Sequence, residues 1–177
     1  SAGIWELAQP VATFNDDGYQ VQPGEDYTDI GSYCFVTGNG EDGSAGVDDV
    51  DNGKTTLISP VFDLSSFDDV ILSYWYWYTN NIGDNGGNDL WQVLISDNGG
   101  NNWENILTTS TSVTQWTKQR FILSDYIELT DAMQFKFIAE DISYNGDNGS
   151  GGSLVEAALD DFLIEYISSG SGVVGDV

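Results

Sequence analysis

The sequence predicts an all-β fold, an antiparallel β-sandwich, from three observations. Helical periodicity is poor: no long window keeps an i, i+3, i+4, i+7 apolar pattern without Gly or β-rich residues breaking it. Short β-branched and aromatic runs instead alternate with Gly/Asn/Asp loops at spacings typical of a sandwich. Three runs dominate: Ile71-Leu-Ser-Tyr-Trp-Tyr-Trp-Tyr78, Phe135-Lys-Phe-Ile-Ala139 and Val155-Glu-Ala-Ala-Leu-Asp-Asp-Phe-Leu-Ile164. The first is aromatic on both faces, so neither face can be left wholly to water.

Taken in chain order, strands are expected at 4–8 and at 33–37, where Tyr33-Cys-Phe-Val36 is an apolar run. Another at 54–59 is closed by Pro60. The aromatic strand at 70–79 follows, then 90–96 and 103–108. These two are joined by Ser96-Asp-Asn-Gly-Gly-Asn-Asn-Trp103, which resembles a lone Asp-box hairpin closing around a packed Trp. Strands at 116–123, 133–140 and 155–167 complete the set. The loops 38–53, 80–89, 97–102 and 141–153 are mostly rich in Gly, Asn and Asp, and the long ones are candidate binding or metal loops. Residues 1–167 thus form one domain, and 168–177 reads as a Ser/Gly linker.

A length of 177 residues suits one domain with a substantial core. With 29 acidic and 4 basic residues the net charge is −25, a field that repels nucleic-acid phosphates and anionic lipid. Aromatic residues at 13% and hydrophobic residues at 40% argue for a folded core rather than disorder. Histidine is absent, which removes the commonest general base and transition-metal ligand. Cys34 has no second cysteine for a disulfide and no His partner, and is expected to be a small buried hydrophobe. No apolar run is long enough to span a membrane by a helix. Nucleophile motifs, phosphate loops and zinc motifs are missing, and Glu140 with Glu156 is the one conceivable carboxylate pair, so the expectation is a non-catalytic protein.

Several segments resemble a MAM-type or galactose-binding-type jelly roll. They are Leu57-Ile-Ser-Pro-Val-Phe-Asp-Leu64, the aromatic strand Leu72–Tyr78, and Gln134–Ala139 followed by Ala158-Leu-Asp-Asp-Phe-Leu-Ile164. Read with Cys34–Gly38 and Asp49–Leu57, the chain is similar to β-sandwich domains found C-terminal to bacterial secreted metallopeptidases. The tail Gly175-Asp176-Val177 resembles the opening of a dockerin-type repeat. Together these resemblances imply a jelly-roll accessory module of a secreted, extracellular, multi-domain bacterial protein. MAM domains usually carry paired cysteines; here metal ions would take over the stapling.

Asp48-Asp49-Val-Asp51-Asn-Gly53-Lys-Thr55 is the best calcium loop, because carboxylates at i and i+2 in a tight turn converge while carbonyls add oxygens. The jelly-roll resemblance implies a Ca²⁺ site of Asp49, Asp51 and Thr55 with Asp160 or Asp161, adjacent carboxylates in an apolar strand that something must pair. Asp84, Asp89, Asp141 and Glu156 form a second constellation at strand ends, a further metal site or a ligand rim, with Asp147 between them. On the aromatic strand Tyr74, Tyr76 and Tyr78 point one way and Trp75 and Trp77 the other; one set is core and the other faces outward. Outward rings stack on pyranose faces, so a polysaccharide or cell-surface glycan is the expected ligand, held by Trp75/Trp77 or the tyrosine face with Gln92, Arg120 and Lys136. Basic residues on outward faces serve internal charge balance or an acidic ligand such as a uronic acid. The alternative function is a structural or adhesive spacer with no small ligand.

Overall fold

The alternation of the aromatic strand sets the architecture, because its two side-chain sets go to opposite faces of a sheet. A computed structural model describes residues 3–40, 43–83, 85–141 and 152–167. Its strands are Trp5–Ala8 (β1), Thr13–Phe14 (β2), Gln20–Gln22 (β3), Cys34–Thr37 (β4), Gly53–Ile58 (β5) and Asp69–Thr79 (β6). Leu90–Ser96 (β7), Glu104–Thr109 (β8), Val113–Ile122 (β9), Gln134–Asp141 (β10) and Glu156–Ile167 (β11) follow, with a 3-10 turn at Leu123–Asp125. One sheet runs β1-β4-β11-β6-β9, the second β5-β10-β7-β8, and β2-β3 is a separate ribbon. Both main sheets are antiparallel throughout, the sandwich of jelly-roll type that the sequence predicts. Each expected strand forms. The ribbon β2-β3 is additional, with paired segments too short to show a period in the sequence. Asp84, Asp147 and the tail 168–177, with its dockerin-like ending, lie outside the described residues.

The tyrosines of β6 take the core. Tyr74, Tyr76 and Tyr78 are buried against Trp91 of β7 and Phe137 of β10, in ring contacts with centroids 5.0–6.0 Å apart that join the two sheets. Trp75 and Trp77 therefore lie on the outer face of the five-stranded sheet, and that face is not bare. Trp77 packs with Cys34, Val36 and Ala158 in a second small cluster flanked by Ala8 and Trp116. Strand β3 covers it: the Val21 carbonyl accepts from Trp77 Nε1 at 2.7 Å and from the Thr79 hydroxyl at 3.0 Å. The Cys34 thiol beneath is pushed up to about 12 by burial first and then by Asp160 and Asp26. Iodoacetamide at pH 8 is accordingly expected to leave the folded protein unlabelled and to modify Cys34 only in denaturant; mass spectrometry would show it, and labelling of folded protein would contradict this packing.

The Asp-box-like hairpin joins β7 and β8 as a self-contained turn. Ser96 Oγ accepts from the Gly100 N–H at 2.9 Å, and Asn98 Oδ1 from the Asn102 N–H at 2.9 Å. Trp103 Nε1 donates to the Gly100 carbonyl, and the Lys136 ammonium sits 3.8 Å from the Trp103 ring centroid.

Candidate functional site

Three strand-borne aromatics and one connecting segment make the most site-like feature. On β9, Lys118 pairs across the ladder with Trp75 and Arg120 with Ser73, which sets Trp116, Lys118 and Arg120 on the same outer face as Trp75 and Trp77. The segment leaving β3 then crosses this face. Gln20 of β3 and Pro23, Gly24, Glu25 and Asp26 of that segment, with Trp77 and Trp116 from the sheet, line a cleft of about 400 Å³. The crossing is pinned at Trp116, whose Nε1 donates to the Glu25 carbonyl at 3.1 Å. Both indole N–H groups are thus spent on the protein backbone; Trp77 is only 6% exposed, so the ring surface that the cleft offers belongs mainly to the half-buried Trp116.

Tyr27 closes one flank. Its ring stacks on Trp75 with centroids 3.7 Å apart and 17° between planes, and meets Trp116 edge-on at 6.4 Å. Trp75, expected as an open platform, instead has a face against Tyr27 and is half-buried. At the same place β11 carries a bulge between Asp160 and Leu163, with Asp161 in the left-handed region at φ 48°.

The expected ligand set divides between the two sheets. Gln92 and Lys136 stand on β7 and β10 in the four-stranded sheet, whereas Trp75, Trp77 and Arg120 belong to the five-stranded one. Gln92 Nε2 donates to Glu140 Oε2 at 2.8 Å and Lys136 rests on Trp103, so both are engaged locally on the far face. Lys136 is also held below its ordinary value, by burial and then by Lys54. Alternation fixes which face of its strand a residue takes, but not which sheet that strand joins.

The acidic residues regroup as well. Asp160 and Asp161 do not join Asp49 and Asp51. Asp160 Oδ2 accepts from the Tyr27 N–H at 2.8 Å, beside the aromatic cleft, and Asp161 is held up by burial and Asp160 and eased by Lys118. Thr55 accepts from the Trp5 N–H through its hydroxyl at 3.3 Å. At one end of the sandwich, Asp49 and Asp51 lie instead with Asp141 and Glu156. Asp49 is pushed up to about 7, by burial first, then by Asp51, with Asp141 adding to the shift. Glu156 is pushed well above its ordinary value by burial and then by Asp49, despite the Thr37 hydroxyl donating to its Oε2 at 3.3 Å. Gly38 makes this crowding possible: at φ +77°, a Cβ there would lie 2.1 Å from the Asp48 carbonyl oxygen. Asp89 is buried nearby, and Tyr78 is raised by burial first and then by Asp89, Glu140 and Asp141. Among the described residues no three carboxylates already converge in the geometry of a metal shell.

Trp116, Tyr27 and the Pro23–Asp26 wall have no place among the sequence-based candidates. Two signals were present: the Pro23-Gly24 turn, and the parity that Trp116 shares with Lys118 and Arg120.

No family model and no curated protein matches the chain, so the MAM-type and metallopeptidase-associated resemblances gain nothing from that side. Solved structures similar to it include TmCBM61 in complex with β-1,4-galactotriose, at 14% identity and a TM-score of 0.39, covering 79% of this chain and 74% of that one. Family 16 Carbohydrate Binding Module-2 is similar at 14% identity and a TM-score of 0.42, over 85% of this chain and 88% of that one. The CBM22-1 xylan-binding domain from Paenibacillus barcinonensis Xyn10C is similar at 13% identity and a TM-score of 0.41, over 94% and 87%. At such identities these similarities say nothing of the ligand.

Proposed function

We propose that this chain is a non-catalytic carbohydrate-binding module that takes a neutral glycan in the cleft between Trp77, Trp116 and the 20–26 segment. The observation that supports it is a polar-rimmed hollow lined by the half-buried Trp116 ring and by the little of Trp77 that is exposed, with both indole N–H groups satisfied by the backbone. Apolar C–H faces of a pyranose pack on aromatic rings, and hydroxyls find acceptors at the rim. Glu25 and Asp26 are adjacent on one wall of the cleft, so they cannot flank a glycosidic bond from opposite sides as acid and base. The same two carboxylates, on a chain of net charge −25, disfavour a polyuronate. Affinity gel electrophoresis tests this: soluble neutral β-glucan, galactan or xylan should retard the protein and polygalacturonate should not. Retardation by polygalacturonate alone would overturn the reading.

We further propose that a calcium ion steadies the acidic end of the sandwich, drawing on Asp49, Asp51, Asp141 and Glu156. The support is chemical. These are hard oxygen donors, and the causes that raise Asp49 are burial and anionic neighbours, with no cation among them. A secreted, multi-domain setting, where calcium is abundant, fits this requirement.

A further inference from the structure

We propose that Asp160 is the positioning residue of the cleft: it holds the 23–27 wall in place by accepting the Tyr27 N–H. This rests on the glycan reading of the cleft and deepens it. The wall supplies Pro23, Gly24, Glu25 and Asp26, the majority of the lining. Strand pairing does not hold these residues, since they leave β3 after Gln22 and β4 begins only at Cys34. Two hydrogen bonds suspend the wall over the sheet. At one point the Glu25 carbonyl accepts from Trp116 Nε1 at 3.1 Å; at the other the Tyr27 N–H donates to Asp160 Oδ2 at 2.8 Å. The second bond is to a carboxylate, and hydrogen bonds to charged acceptors are the stronger kind.

Asp160 is itself fixed by an unusual piece of backbone. The bulge in β11 puts Asp161 at φ 48°, a conformation that a non-glycine residue adopts at a cost, and there the Asp161 N–H donates to Asp160 Oδ1 at 2.8 Å. One carboxylate oxygen is thus tied to the strand and the other to the wall. The same bond brings Tyr27 down onto Trp75, where the rings stack at 3.7 Å. Without Asp160, only the Tyr27–Trp75 stack and the Trp116-to-Glu25 bond would hold the wall, and Pro23–Asp26 would leave Trp77 and Trp116 less enclosed. Asp160, expected from the sequence to bind a metal, has its described contacts here.

Amide hydrogen exchange and glycan titration on the full chain test this together. Asp160→Ala should accelerate exchange at the Tyr27 amide by tenfold or more and weaken neutral-glycan binding by about ten- to a hundredfold, the range for a lost charged hydrogen bond. Asp160→Asn keeps one acceptor oxygen and should fall between wild type and Asp160→Ala in both. Tyr27→Phe keeps the N–H and the stack and should behave as wild type. Far-UV circular dichroism would establish that each variant folds; if Asp160→Ala did not, the graded Asp160→Asn and Tyr27→Phe results would decide. Unchanged exchange at Tyr27, or faster exchange with unchanged affinity, would overturn the proposal. Were wild type to bind no glycan, the glycan reading would fall, and Tyr27 exchange would still decide whether Asp160 holds the wall.

Discussion

Replacing Trp91 with Ala is expected to destabilise the protein by about 3–5 kcal/mol and to lower its melting temperature by about 10 °C. Trp91 is fully buried at the point where the two sheets meet. Its ring stacks on Tyr76 at 5.6 Å, lies 6.1 Å from Phe137 and 6.0 Å from Tyr78, and meets Trp5 edge-on at 6.2 Å. Among the described residues no other core side chain has so many aromatic neighbours in both sheets, so truncation leaves a cavity that rigid rings cannot collapse to fill. Trp91→Phe should cost markedly less. Its smaller ring retains much of the stacking with Tyr76 and Phe137. Circular dichroism melts of both variants would show the order; a Trp91→Ala melt within a degree or two of wild type would contradict this core.

Chelation is expected to have the second largest effect. At pH 7.5, excess EDTA should lower the melting temperature by about 5–10 °C and millimolar calcium should restore it, the size expected for a ligand near a hundred times its Kd. Magnesium, which demands a tighter octahedral shell, should restore less. The pH dependence in EDTA carries a definite sign. Asp49 has an ordinary value of 3.8 and is raised to about 7 in the fold, so between those limits the native state holds a proton that the unfolded chain has released. The contribution of Asp49 to stability then falls as pH rises from about 4 to about 7 and levels off above, with Glu156 contributing in the same direction. Calcium, which binds the ionised carboxylates, should flatten or reverse that slope. Melting temperatures that rise with pH in EDTA would contradict the buried carboxylates here, and ones that ignore calcium would remove the ion from this end of the sandwich.

The strands were legible because their pattern is local. The runs at 71–78, 135–139 and 155–164 declare themselves through β-branched and aromatic density. The site was legible only in part, because it depends on which strands become neighbours. Lys136 and Arg120 look alike in parity, yet β10 and β9 enter different sheets and face away from each other. Asp160 and Asp161 look like metal ligands as a pair of carboxylates in an apolar strand, but a bulge turns them toward Tyr27 and Lys118. Burial of the tyrosine face was undecidable from alternation, since both faces of β6 are aromatic. It was settled by Trp91 and Phe137 on the opposing sheet and by β3 covering Trp77. The 23–27 segment carries no periodic signal because it is an irregular crossing held by side-chain-to-backbone bonds.

The most direct measurement is a calorimetric titration of neutral oligosaccharides into wild type, Trp116→Ala and Trp103→Ala, in calcium. Trp116 lines the cleft on the five-stranded sheet, and Trp103 sits on the hairpin of the other sheet beneath Lys136. Glycan binding in the cleft predicts that wild type and Trp103→Ala bind alike while Trp116→Ala loses about thirtyfold or more, the loss of one buried aromatic anchor. Equal loss in both variants, loss in Trp103→Ala alone, or no binding by wild type would contradict it, and the last would leave a spacer domain.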